Sequence, residues 1–403
     1  MRSPLPLPLL SLLLIVFSLT TGEFVIAGIL PEVADELGVS IPSAGLLVTA
    51  YALGMIVGGP LVTVLTAGVA RRPLVAGLVT VSIAANLGSA VAPSHPVLLA
   101  ARFAAGLVVA TFFALAITTA VSMAREGRQA STVAKLTLGM NLGIVLGTPL
   151  GTLVGQGLGW RAPFVAIALL SAVALLLALL TLPAGPAASP PTPPAAPARR
   201  ASPLRELRVF ANRDLQLALA LTALGNVGAV AVFVYISPLL TDVSGFSTGT
   251  VPALLLLYGA GATAGNFLGG WLADRALLPS LAGLLAALAA VLALFRVADG
   301  TRPAAAVLTF ALGVLAFAII PGMQTRVMAT ATAAPTLAVA VNASGFQLAA
   351  AFAGWLGGRV VSDGPGLRAL PLVGAALTLA GLAVALHALR RDRRARAEVA
   401  AHA

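Results

Sequence analysis

Apolar runs of about 20 residues, separated by short polar or Pro/Gly-containing breaks, recur along the whole chain of 403 residues. A membrane-crossing helix needs ~20 mostly apolar residues. On that criterion the pattern predicts twelve spans, over 5–30, 44–66, 73–91, 96–123, 136–158, 162–182, 215–240, 251–273, 277–295, 303–325, 335–356 and 370–389. The first run, with Arg2 ahead of it, also has the outline of a signal peptide. It continues past Glu23 to Leu30 without an A-x-A-like cleavage site, and so reads as a span. Between the sixth and seventh spans the stretch PAGPAASPPTPPAAPARRASPLRELRVFANRD cannot cross a membrane and reads as a semi-rigid linker. Within it, Ser202 as N-cap and Pro203 behind it predict a short surface helix through Leu204, Leu207 and Phe210. The expected organisation is a six-helix bundle over 1–183, a cytoplasmic linker over 184–213, a second six-helix bundle over 214–390 and a basic cytoplasmic tail over 391–403.

Composition narrows the function classes. Charged residues make up 9% of the chain and hydrophobic ones 59%, whereas soluble domains carry about 25% charge. The formal charge of +11 punctuates apolar runs and is not gathered on one face, which argues against nucleic acid as a partner. With no cysteine and three scattered histidines (His95, His387, His402), neither thiol chemistry nor a zinc cluster is expected. No enzyme, cofactor or metal is predicted. If the N-terminus is inside, eighteen of the 24 Lys/Arg residues fall on the cytoplasmic side and five outside, with Arg102 inside a span. Both termini are therefore expected in the cytoplasm, the bilayer being that of a bacterial cytoplasmic membrane.

A shift of 207 residues aligns Ile29, Pro31, Asp35, Gly38, Ser40, Tyr51, Gly54 and Gly58 with Ile236, Pro238, Asp242, Gly245, Ser247, Tyr258, Gly261 and Gly265. The two halves are thus predicted to be parallel repeats, a recurrent plan of secondary transporters that places substrate near the midplane between them.

Within the expected spans only Glu23 and Arg102 carry a full charge. Each lies ~10 Å below the outer surface by the helical rise, so they are at matching depth. If the first and fourth helices are neighbours, the two compensate each other, and an ionisable residue at depth is a functional candidate. A carboxylate in a cavity that opens to alternate sides exchanges a proton with either one. The competing reading is a permanent ion pair that only fixes packing. A second constellation, GMNLGIVLGTPLGTLVGQGLG, carries glycine at 139, 143, 147, 151, 155 and 159. Spacing by four leaves a bare stripe along one helix face, with close helix packing as the bland explanation.

These residues resemble the major facilitator superfamily, and within it the twelve-helix drug:H⁺ antiporters. Gly143, Gly147, Pro149 and Gly151, with Gly139 ahead of them, are similar to that group's antiporter motif on helix 5, although Thr148 separates Gly147 from Pro149. RFAAG, from Arg102 to Gly106, resembles the helix 4 motif whose arginine is implicated in proton coupling. GWLADR (Gly270, Asp274, Arg275) resembles the cytoplasmic gating motif without its trailing basic part. The first-half copy keeps Arg71 and Arg72 but has Ala67 where the family usually has Asp; positive-inside topology explains Arg71 and Arg72 equally well. The resemblance extends to the branch of chloramphenicol-resistance and arabinose-efflux-type permeases. It implies an all-α major facilitator fold of two pseudo-symmetric six-helix bundles, and a monomer working with protons and a small-molecule substrate.

A site for a lipophilic drug has aromatic and apolar walls with a few uncharged polar groups. The candidates are Phe24, Tyr51, Phe112, Phe113, Asn141, Asn226, Phe233, Tyr235, Tyr258 and Phe346. One buried acid disfavours multiply charged cations, so the expected activity is proton-coupled export of neutral amphiphiles such as chloramphenicol. The alternatives are a sugar, nucleoside or metabolite exporter of the same fold, for which the spans offer few amides and carboxylates, and a non-transporting scaffold or receptor.

Overall fold

The computed structural model describes residues 7–66, 68–124, 129–182, 213–297, 301–330 and 335–401; the linker with the helix expected after Ser202, and Ala67, lie outside the described residues. Among the described residues there is no strand. Helix 1 runs Leu7–Phe24 and resumes as Ile26–Leu37; helices 2, 3 and 4 are Ile41–Leu65, Arg71–Ala90 and His95–Ser122. Helix 5 comprises Gln129–Leu142, a π-helical turn Gly143–Gly147 and Thr148–Leu158, and helix 6 is Ala162–Thr181. Helix 7 is Arg213–Val234, followed by Ile236–Pro238 and a π-helical turn Leu239–Val243. Val251–Val297 contains helices 8 and 9, parted where Ala276 leaves helical geometry (φ −156°, ψ 81°). Helices 10, 11 and 12 are Arg302–Thr330, Pro335–Ser362 and Leu370–Ala401.

Two compact units result, one of residues 1–196 with 247–256 and the other of 197–246 with 257–403. Among the described residues, ten helical stretches are long and apolar enough to cross a membrane, the one over Thr248–Val297 being long enough, at 50 residues, to hold two of the expected spans.

Both units end their first helix in the same way. Pro31 lacks the amide that would extend the ladder, and two residues before it Ile29 departs from helix (φ −112°, ψ 15°). In the second unit Tyr235 departs similarly (φ −104°, ψ 22°) ahead of Pro238. Gly38 then terminates helix 1 at φ +63°, and Gly245 adopts φ +74° at the matching place. Ser40 caps helix 2, its Oγ accepting from the Ser43 amide at 3.3 Å, and the Ser247 hydroxyl meets that of Thr250 at 2.8 Å.

The 207-residue register persists at the level of atomic packing. A Cβ on Gly54 or Gly58 would collide with the carbonyl oxygens of Phe103 and Leu107 on helix 4, and one on Gly106 with that of Tyr51. In the second unit a Cβ on Gly261 or Gly265 would collide with the carbonyls of Phe310 and Val314 on helix 10, and one on Gly313 with that of Tyr258. Each pair is therefore a backbone-to-backbone crossing that only glycine permits.

The chain beyond residue 390, expected as a tail, continues helix 12 to Ala401. Its Ala, Arg and Glu residues are strong helix formers and no Pro or Gly interrupts them. Two ion pairs hold its beginning: Asp392 takes Arg326 of helix 10 through both carboxylate oxygens, at 2.7 and 2.9 Å, and Arg391 reaches Asp214 of helix 7 at 3.4 Å. The Arg326 and Asp392 side chains are only 11% and 26% exposed. Asp392→Asn is accordingly expected to lower stability by roughly 1–3 kcal/mol, measured as a fall in Tm of the purified protein in detergent.

Candidate functional site

In the first unit the sequence candidates converge around Arg102. Seven residues into helix 4, its side chain is fully buried. Nη1 donates to the Gly22 carbonyl at 2.8 Å and Nη2 to the Glu23 carbonyl at 3.5 Å. Both acceptors belong to the last turn of helix 1 before its interruption at Val25. The guanidinium lies 4.3 Å from the centroid of the Tyr51 ring, on helix 2, and 5.9 Å from that of Phe164, on helix 6. Tyr51 in turn donates its hydroxyl to the Leu19 carbonyl at 3.3 Å. Three helices thus grip one turn of helix 1. The half-buried Glu23 belongs to that turn, and its charge interacts with both Arg102 and Tyr51.

A fixed cation bonded to main-chain oxygen stays in place whatever the state of the neighbouring carboxylate. The register gives no such chemistry in the second unit, where Val230 and Thr309 stand at the matching positions and Thr309 is buried, bonding the Ala305 carbonyl of its own helix at 2.7 Å.

The glycine ladder faces helix 1. A Cβ on Gly139 would meet Leu13, on Gly143 Phe17 and Thr20, on Gly147 Thr21, on Gly151 Val25 and on Gly155 Ile29. Helices 1 and 5 therefore share a seam with a step of four residues on each side, and it passes the Glu23 turn at Gly147 and Gly151. Next to Pro149 the helix relaxes into its π turn, where the Gly143 carbonyl accepts from the Thr148 amide and, at 3.3 Å, from the Thr148 hydroxyl. Where the seam opens toward helix 6, an apolar cleft of about 140 Å³ lies against Phe17, Thr21, Gly147, Gly151 and Ile167.

The remaining candidates divide by environment. Phe112 is buried in the packed core of the first unit with Phe113 against it, which is the position of a packing residue; Phe24 and Asn141 are half-buried. In the second unit Phe233 and Tyr258 stack at 4.6 Å, with Phe317 edge-on to Tyr258 at 6.2 Å. Tyr235 donates to the Gly354 carbonyl at 2.8 Å and lays its ring on Gly357. Asn226 donates to the Thr222 carbonyl at 2.7 Å and to Met323 Sδ at 3.2 Å, while the Thr222 hydroxyl donates to Asn342 Oδ1 at 2.7 Å. Phe346 is half-buried. Of the gating residues, Arg71 is buried and Arg72 half-buried in the first turn of helix 3. Asp274 is exposed, Gly270 adjoins open space, and Arg275 stacks on Trp271 with 3.5 Å to the ring centroid.

Sequence reading passed over Phe164, Asn342 and Asn86. Asn86, 4% exposed on helix 3, has its Oδ1 beside Gly22. Its signal was available, since an amide inside an apolar span needs partners.

It also passed over Glu32, beyond the expected end of the first span. Burial holds the Glu32 carboxyl above its ordinary value of 4.5, opposed by hydrogen bonds from its own amide and from Gln156, while Asp35 adds to the rise. A raised folded-state value means that the folded chain holds the proton more tightly than the unfolded chain, so stability falls as pH climbs from the ordinary value through the raised one. Thermal unfolding followed across that acidic range is expected to show this decline in the wild type and a flatter profile in Glu32→Gln; identical profiles would contradict it.

With this geometry in hand, comparison with known proteins is informative. The sequence model of the Major Facilitator Superfamily matches residues 12–336. The chain is 35% identical over 379 residues to the Inner membrane transport protein YdhP of Escherichia coli K12, covering 94% of each. It is 37% identical over 354 residues to a Chloramphenicol resistance protein of Streptomyces lividans, covering 86% of this chain and 87% of that one. Among solved structures, a bacterial homologue of the human lysosomal transporter Spinster superposes with a TM-score of 0.70 at 20% identity, over 94% of both chains, a likeness of fold.

Proposed function

The chain belongs to the major facilitator superfamily, and from that membership we propose that it exports small amphiphilic compounds of the chloramphenicol kind by proton exchange. It is a multi-pass membrane transporter that moves solutes and does not transform them. The observation that carries the reading is the Glu23–Arg102 pair beside Tyr51, present in one repeat; in the other the tyrosine is kept as Tyr258 while Val230 and Thr309 stand in place of the two charges. Glu23 is the proton carrier, and Arg102, anchored on the Gly22 and Glu23 carbonyls, is its fixed counter-charge. Protonation of Glu23 from the outer side weakens its attraction to Arg102 and favours release of the drug. Deprotonation toward the cytoplasm restores the binding state, in an alternating-access cycle.

A neutral cargo fits walls whose polar groups are few and uncharged, among them Asn141, Asn226 and the tyrosines. The name of the Streptomyces relative supports chloramphenicol as the first compound to test. The protein is taken to act as a monomer, with both termini in the cytoplasm. In everted membrane vesicles energised by respiration, labelled chloramphenicol is expected to accumulate only when the chain is present, and to leak out when a protonophore collapses the gradient. Accumulation of arabinose in place of chloramphenicol would move the cargo to metabolites; accumulation of neither would overturn the proposal.

A further inference from the structure

The cytoplasmic-side extension of helix 12 carries a positive face that transport does not use. Leu372, Leu379 and Leu386 are exposed along helix 12 at intervals of seven residues, which is two turns, so they form one stripe turned away from the rest of the second unit. Seven residues further stands Arg393, also exposed, flanked on the same face by exposed Arg390 and Arg394. An apolar stripe that meets acyl chains thus becomes, within ~10 Å, a cluster of three guanidinium groups at the depth of lipid headgroups.

Its orientation is fixed by the residues between them. Asp392 is held by Arg326 and Arg391 by Asp214, and these two contacts pin the opposite side of the helix to helices 10 and 7. The one acid in this turn is thereby turned inward. Among the residues whose side chains are described, no carboxylate pairs with Arg390, Arg393 or Arg394. Positive-inside topology needs arginines at this end of the span, but it does not require Asp392, the acid within their own turn, to be occupied elsewhere.

We infer that Arg390, Arg393 and Arg394 form a binding surface for the headgroups of anionic phospholipids in the leaflet around helix 12. Guanidinium groups suit phosphate oxygens through paired N–H donors. Continuity with the leucine stripe favours a ligand whose tails lie in the bilayer over a soluble acidic partner.

The test uses the full chain, purified in detergent and titrated with phosphatidylglycerol or with phosphatidylcholine of the same acyl chains, bound lipid being counted by native mass spectrometry. Selective retention of phosphatidylglycerol is expected, with affinity falling on the order of 100-fold in the triple variant R390Q/R393Q/R394Q. Equal retention of the two lipids by the wild type, or undiminished phosphatidylglycerol affinity in the variant, would overturn the inference. Should the variant not fold, the wild type decides: the same titration in high salt should weaken binding, and salt-independent retention counts against a charged headgroup site. Binding of soluble polyglutamate as tightly as phosphatidylglycerol would also overturn it, in favour of an acidic macromolecule.

Discussion

Glu23→Gln is expected to abolish proton-driven export while leaving the chain folded and able to bind its cargo. Glutamine keeps the size of the side chain and removes only its capacity to lose a proton. The anchor of the site does not depend on that charge, because Arg102 donates to the Gly22 and Glu23 carbonyls at 2.8 and 3.5 Å and these survive the substitution. Two activities should therefore separate. Uphill accumulation in energised vesicles should fall to the level of membranes lacking the protein, whereas exchange of labelled for unlabelled drug with no gradient should persist. Loss of both, together with a fall in Tm, would make Glu23 a structural member of a buried ion pair. Undiminished uphill transport would remove it from the mechanism.

The second large effect concerns packing. At Gly58 even a methyl group would run into the main chain of Leu107, its carbonyl carbon and oxygen together, and no side-chain rotation relieves a clash with backbone. Gly58→Ala should therefore part helices 2 and 4 locally and cost about 2–3 kcal/mol. Gly265→Ala does the same at Val314 in the second unit. The two sites share no partner, so their effects should add within a few tenths of a kcal/mol in the double variant. Since Tyr51 on helix 2 and Arg102 on helix 4 meet next to this crossing, Gly58→Ala should also reduce transport more than Gly265→Ala does. Tm values of the three variants indistinguishable from the wild type would show that the crossings have slack the structure does not display.

Much of this architecture was legible in the sequence, because the bilayer imposes a length and a polarity that a chain cannot disguise. The expected start of the fourth span at 96 and the observed one at His95 agree, as do 162 and Ala162 for helix 6. The departure at Ile29 was not anticipated, although Pro31 carried its cause, since a missing amide acts on the turn before it. The repeat was visible because glycines that touch backbone cannot be replaced, and so the register survives in them.

What lay beyond reading was the identity of partners. The spacing of Gly139 to Gly155 defines a face of helix 5, but only three dimensions show that helix 1 lies against it. Arg102 was expected to compensate Glu23, and their charges do interact, but its main-chain acceptors carry no residue-specific signal in sequence. Aromatic residues such as Phe112 look alike whether they line a cavity or fill a core. The segment expected as a tail begins as a continuation of helix 12, and the partners of Arg391 and Asp392 on helices 7 and 10 carry no signal in sequence.

The central claim is that cargo and proton move in opposite directions through one cycle governed by Glu23. It is tested most directly with the purified chain in proteoliposomes holding a pH gradient and a trapped pH-sensitive dye, challenged with chloramphenicol. A proton flux triggered by chloramphenicol in the wild type and absent in Glu23→Gln is the predicted result. A flux of equal size in both proteins, or chloramphenicol movement with no proton movement, would contradict it.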